Sequence, residues 1–433
     1  MPQELVSLLI IIATIIFFFK LESKSIYWLP LYCVIIDGCY IFFQDYKYIH
    51  YTRSIFFTFL FLYIIRNKRR KDDFGIFLFL GFQLFVLFFY STDIYYNLKL
   101  IHLSSVSLFM LPIGFLFFKT RSQLKILNKC LYWVVVFWAV YVVFSTMFKL
   151  GEVSPEKFGT FIYFGGFANT GGLSSIAFVL LILPFFIEDI NKKSQKFLLL
   201  ICTSFILITL LIALKRMSLI VIIMGYLLFF FRSPIKNKFR FVALTMVIAG
   251  ILLGLSSYYI DKVSQRIDER GEWRFQRDFY MREARYIESI QITENILKFK
   301  SFSTSLFGNG YGSQIIYIEG DDFERDIHVT FNFYLQVSGI IGLLIYLNIY
   351  YRSFSLFRSY KKRIYETKDT KILSIIFINL LVLFLLAHFA GGVHLVTFRT
   401  IVFLYLGAIL GVMKKAGQHP EIEDDFLLLN RKS

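Results

Sequence analysis

Cysteine is scarce in this 433-residue chain, and its placement excludes two roles at once. The four residues, Cys33, Cys39, Cys130 and Cys202, all sit in apolar runs, so they form neither a zinc cluster nor a loop disulfide. Charge is thin as well: 18% of residues are Asp, Glu, Lys or Arg, against 57% hydrophobic, and the mean hydropathy is +0.62. A soluble core of this size could not bury so much apolar side chain, which excludes a soluble globular protein. No repeat at solenoid periods and no two-half symmetry stand out. The opening residues, MPQELVSLL, lack a basic stretch, so no cleavable signal peptide is expected.

What the chain does have is long apolar runs. They are about 15 to 21 residues each, which suits helices crossing about 30 Å of hydrocarbon and is too long for β-barrel strands. They begin near Leu5, Ile26, Ser54, Phe74, Ile101, Cys130, Thr170, Phe197, Met217, Phe241, Phe331, Ile372 and Phe398. The expected fold is an all-α polytopic integral membrane protein of about 12–13 transmembrane helices. Residues 1–433 form one membrane domain, with one large, partly helical extracytoplasmic loop over 259–330 and a cytoplasmic tail over 414–433. The 53 Phe and 27 Tyr suit lipid-facing surfaces and interfacial belts.

Basic residues collect at 66–71, 119–125, 192–196, 232–240, 352–371 and at Lys414 and Lys415, on every second loop. Basic loops stay cytoplasmic, so the net charge of +17 is a topology signal and no nucleic-acid partner is expected. The other face receives 91–99, 149–169, the Lys215-Arg216 turn, the long excursion over 261–326, and 391–395. That excursion holds ten Lys/Arg against thirteen Asp/Glu and so escapes the bias, as long translocated loops do.

Four features on this second face carry potential chemistry. Lys215 and Arg216 stand between two apolar runs, where they either snorkel to headgroups or, for Arg216, face a cavity and hold an anionic group through a fork of donors. The run RIDERGEWRFQRDFYMREARYIESIQ over 266–291 is dense in Arg. Arg270, Arg274 and Arg277 share one helix face, and Arg282 and Arg285 partly continue the stripe, either as phosphate ligands or paired with acids such as Asp278 and Glu283. In LFGNGYGS over 306–313, Gly308, Gly310 and Gly312 alternate, which permits a tight turn and close approach of backbone N–H groups to a ligand. The turn lacks the strand and spacing of a dinucleotide fingerprint. His328 stands where the excursion re-enters the membrane and could accept a proton from a substrate hydroxyl. The carboxylates Asp321, Asp322, Glu324 and Asp326 would suit a divalent cation, but a solvated acidic turn is much more common, and no metal site is assigned.

The order of GGFANTGGLSSIAF, ALKRMSLIV, RDFYMREARYIESI, LFGNGYGS and DIHVTFNFYLQVSGIIG resembles that of the O-antigen polymerase and O-antigen ligase superfamily of membrane glycosyltransferases. The likeness covers about 165–351. Val329 stands where that family commonly has Asn, and Lys215 where it commonly has Ser. The resemblance implies an enzyme of the bacterial cytoplasmic (inner) membrane that acts on its outer, periplasmic face in O-antigen (lipopolysaccharide), capsule or exopolysaccharide biosynthesis. Its donor would be a glycan linked through diphosphate to a polyprenol such as undecaprenol, its acceptor a sugar hydroxyl. No cofactor or metal is implied; membrane lipids are partners, and there is room for a chain-length regulator. On this likeness His328, Arg216 and Arg277 are the catalytic candidates. Lys215, Arg270, Arg274, Arg282, Arg285, Asn169, Gly308, Gly310 and Gly312 are the substrate-binding ones. A polymerase is the reading adopted, with a ligase to lipid A core as the alternative and a flippase or transporter behind it. Few ionisable groups are expected inside the spans apart from Asp37, His102 and His388, which weighs against a path through the membrane. The excursion reads as a lid with catalytic groups, ordered by the donor.

Overall fold

A computed structural model describes residues 25–42, 48–67, 74–91, 94–151, 162–167, 172–186, 189–190, 192–212, 216–232, 284–299, 301–313, 315–317, 324–327, 329–364, 367–389 and 396–418, with Ile12 and Ile16. Eleven of the thirteen apolar runs fall on helices; the runs from Leu5 and Phe241 otherwise lie outside the described residues. The helices are α1 (Leu29–Gly38), α2 (Tyr48–Asn67), α3 (Ile76–Tyr90), α4 (Ile94–Ser105), α5 (Met110–Phe117), α6 (Arg121–Met147), α7 (Gly172–Phe186), α8 (Lys193–Ile212), α9 (Arg216–Arg232), α10 (Ala284–Leu297), α11 (Phe302–Phe307), α12 (Thr330–Lys361), α13 (Lys368–Ala387) and α14 (Val396–Ala416). Among the described residues six helical stretches are long and apolar enough to cross a membrane: Asn97–Phe117, Arg121–Met147, Lys193–Leu210, Thr330–Lys361, Asp369–Ala387 and Val396–Ala416. Five shorter apolar helices accompany them. Side chains such as Phe59, Phe88, Phe89, Val140, Phe231 and Leu344 point outward, as apolar groups do when lipid is the solvent.

At the centre runs α14, every residue of its apolar window buried. It crosses α5 with backbones in contact: a Cβ at Gly407 would strike the Leu111 carbonyl, one at Gly411 the Phe118 carbonyl, and one at Gly114 the Leu404 carbonyl. Gly407 and Gly411 are four apart, so they lie on one helix face; small residues there replace a hydrophobic driving force with close packing.

Three of the segments assigned to the basic face, 119–125, 352–371 and Lys414, meet in space, while 68–71 and 233–240 lie outside the described residues. Lys119 Nζ and Lys414 Nζ sit 4.8 and 5.1 Å from the centre of the Phe115 ring. Arg121 reaches Asp189 at 3.2 Å and Asp369 at 3.7 Å, while Asn128 bridges Asp189 (2.6 Å) and the Tyr405 hydroxyl (2.6 Å). This is the basic end of the bundle. At the opposite end the Gly38 carbonyl accepts from the Tyr141 hydroxyl and from Gly166 N (3.1 Å). Phe167 there stacks on Trp138 at 5.6 Å.

One element departs from the all-α expectation. Within the excursion β1 (Ile315–Tyr317) pairs antiparallel with β2 (Glu324–Asp326), in the register Ile315↔Asp326, Ile316↔Arg325, Tyr317↔Glu324. The branched and aromatic IIY segment suits a pleated pair, but three residues are too few for alternation to show in sequence.

Candidate functional site

Most of the site expected from sequence falls on residues outside those described: Asn169, Lys215, Arg270, Arg274, Arg277, Arg282 and His328. Arg216 is the first residue of α9 and Arg285 the second of α10, and their backbones are helical. What the structure supplies is the framework around these positions.

The glycine turn plugs into a broken helix. Within α12, Gly339 takes φ +65°, ψ −167°, which interrupts the helical hydrogen bonds and leaves carbonyls of the preceding turn to other donors. Asn309 N donates to the Gln336 carbonyl at 2.8 Å, and Gly310 N to that of Val337 at 3.0 Å. Gly308, at φ +81°, leaves no room for a Cβ against Val337 and Gly339; Gly310, at φ +78°, lies directly on the Tyr90 carbonyl. The expectation that these glycines open the turn to a ligand is therefore corrected for Gly308 and Gly310. Both are buried against protein, and the amides at 309 and 310 are already spent on α12. Gly312, at φ +109°, is exposed.

Tyr311 completes the anchor. Its hydroxyl donates to Gln83 Oε1 at 2.7 Å, its amide to Ser91 Oγ at 2.9 Å, and its carbonyl accepts from Asn97 Nδ2 at 3.1 Å. Burial pushes its phenol well above the usual tyrosine range, so it stays a donor.

Directly after His328, α12 begins on a polar seat. Glu288 of α10, fully buried, accepts from Val329 N at 3.0 Å and from Asn332 Nδ2 at 3.1 Å, while Asn332 Nδ2 also reaches Ser289 Oγ at 2.9 Å. An acidic side chain on the amide that opens a helix answers an orphan donor and suits the helix dipole. Thr330 N donates to the His388 carbonyl at 3.0 Å, which ties the end of α13 to the same place. The His388 ring lies beneath: Nδ1 is 2.5 Å from the Phe384 carbonyl, and Nε2 is 2.6 Å from the Tyr346 hydroxyl and 3.1 Å from that of Tyr350. A carbonyl only accepts, so Nδ1 carries the proton and Nε2 accepts from a tyrosine.

Deeper still, Arg399 of α14 is 0% exposed and donates from Nη1 to the Ser104 carbonyl at 2.7 Å, with Tyr334, Tyr346 and Tyr350 close enough to feel its charge. Beside it in the helix, Thr397 Oγ1 accepts from Arg53 Nη1 at 2.7 Å, and the same Nη1 donates to Asp37 Oδ1 at 2.7 Å. Arg53 and Arg399 add two buried cations to the few ionisable groups expected among the helices. Each is a single cation in a run whose average hydropathy hides it, and neither its depth nor its partner could be read without the packing. Glu288 was legible only as one acid among many in an Arg-rich stretch. No group of three His, Cys, Asp or Glu that could hold a metal occurs among the described residues.

Fold and site together define a multi-pass, mainly helical membrane protein with a polar assembly at the end opposite its basic residues. No protein-family model and no curated protein matches the chain.

Proposed function

We propose that this protein is a metal-independent glycosyltransferase of about 12–13 spans that polymerises polyprenyl-diphosphate-linked oligosaccharide repeat units at the outer face of a bacterial cytoplasmic membrane. The observation that carries the reading is convergence. The start of α12 after His328, the start of α10 after the Arg run, the glycine turn and the buried Arg399 meet at one end of the bundle, away from the basic residues. The order of motifs in the sequence supports it.

In the proposed reaction an acceptor hydroxyl attacks the anomeric carbon, the bond from that carbon to the diphosphate oxygen breaks, and polyprenyl diphosphate leaves with the electron pair. His328 takes the hydroxyl proton. Arg216 and Arg277 stabilise the charge developing on the leaving group, the task that lowers the barrier most. Lys215, Arg270, Arg274, Arg282, Arg285 and Asn169 hold the anionic donor. Gly308 and Gly310 act at one remove, by fixing the excursion to α12, and Gly312 is the glycine of this turn left exposed.

A second reading, a lipid-linked oligosaccharide flippase or transporter, is favoured by the charged groups Asp37, Arg53 and Arg399 buried among the helices. One experiment separates the readings. Purified protein is given repeat units on a lipid diphosphate, with either more of the same or lipid A core as acceptor, in micelles and in vesicles. A ladder of lengthened lipid-linked glycan supports the polymerase, transfer to core alone supports the ligase, and movement across vesicles without new bonds supports the flippase.

A further inference from the structure

At the basic end, on the far side of the bundle from the proposed reaction, α12 bounds a groove of about 440 Å³. Its lining is ordered along the helix. Tyr351 and Phe354 come first, then Ser355, and then Arg358, Ser359, Lys362 and Arg363, at and just past the last turn. Tyr351, Ser355, Arg358 and Lys362 follow one another three or four residues apart, so they share a face.

Depth fixes what that order means. The helix from the break at Gly339 to its end at Lys361 is about 33 Å long at about 1.5 Å per residue, close to the thickness of the hydrocarbon layer. Tyr351 closes the apolar run that begins near Phe331 and lies about 16 Å from Lys362 along the axis, so the lining passes from the edge of the apolar layer out among the headgroups. The groove is aromatic at the end nearer the hydrocarbon and mixes hydroxyls with cations at the end nearer the headgroups.

Charge fixes the occupant. Among the described residues no ion pair is made by Arg358, Lys362 or Arg363, and all three are exposed. Arg358 and Lys362, four apart, repel each other in an empty groove, a cost that an anion between them reverses. The guanidinium forks of Arg358 and Arg363 suit phosphate oxygens held by two bonds, and Ser355 and Ser359 add hydroxyl donors. A zwitterionic headgroup would bring its own cation into this cluster, whereas a headgroup of net negative charge would not. We propose that the groove is a binding site for one anionic phospholipid, its phosphate among Arg358, Lys362 and Arg363 and an acyl chain along Phe354 and Tyr351.

The test uses the full chain in detergent micelles, with retained lipid read by native mass spectrometry. Phosphatidylglycerol and phosphatidylcholine of the same chains compete, with and without millimolar inorganic phosphate. The wild type should retain phosphatidylglycerol about tenfold more than phosphatidylcholine, since each basic residue near an anionic surface contributes appreciably. Arg358→Gln/Lys362→Gln/Arg363→Gln should bring that preference to about twofold or less. Lys125→Gln/Lys129→Gln/Lys196→Gln removes the same charge from exposed positions elsewhere at the basic end and should leave the preference intact. Tyr351→Ala should weaken retention of both lipids. Equal losses in the two triple variants would show a diffuse surface field and overturn the site. Displacement of phosphatidylglycerol by inorganic phosphate would overturn the lipid in favour of a soluble anion, and a wild type without preference would overturn both.

Discussion

Asp37 and Arg53 show what a charge inside this bundle needs. Both are almost wholly buried, joined at 2.7 Å, with Thr397 as the second acceptor for the same guanidinium nitrogen. Removing two charges from water is costly, and their attraction repays that cost only while both are present. Asp37→Leu should therefore destabilise by about 3–5 kcal/mol, since it strands Arg53, whereas Asp37→Leu/Arg53→Met should restore most of the loss. Thermal unfolding midpoints in one detergent measure the difference, and a double variant as weak as the single would contradict the pairing argument. Asp37 was visible in the sequence as an odd residue in an apolar run, but its partner was not. Arg53 lies sixteen residues away on another helix and Thr397 three hundred and forty-four from Arg53, and a spacing rule for one helix cannot reach across that separation.

Among the elements, α12 is the one on which the site is mounted. Its first turn is held by Glu288 from α10 and by the His388 carbonyl from α13, and its break at Gly339 receives the glycine turn. A hydrogen bond to a buried carboxylate is worth about 1.5–3 kcal/mol. Glu288→Ala should thus speed hydrogen exchange at the Val329 amide by about tenfold or more, with exchange in α6 unchanged. Unaltered exchange at Val329 would mean that the carboxylate does not hold the helix start. The helices themselves were legible because runs of apolar residues report length and burial directly. The break was not, since Gly339 sits within a long helical run and its φ of +65° has no signature there. For the same reason LFGNGYGS looked like a turn open to a ligand: the alternating glycines are real, but the backbone they approach belongs to α3 and α12.

For the whole molecule, Lys119, Arg121 and Lys414 gather at one end together with Asp189 and Asp369. Which end faces outward is read with a thiol reagent that does not cross membranes. Cys33, Cys130 and Cys202 are buried and Cys39 half-buried, so a cysteine placed at an exposed position dominates labelling. Lys125→Cys, at the basic end, should label only after cells are opened, and Glu294→Cys, on α10, in intact spheroplasts. Reaction of both from the same side would contradict the two-ended arrangement. The proposed activity is metal-independent glycosyl transfer at a site built on His328 and Arg216. Its most direct test is the elongation rate of purified His328→Ala and Arg216→Ala proteins on lipid diphosphate-linked repeat units in the presence of a chelator. Each variant should fall by about a hundredfold or more while the wild type keeps its rate. Elongation at the wild-type rate by both variants would rule out this site, and its loss in the wild type on chelation would rule out a metal-independent reaction.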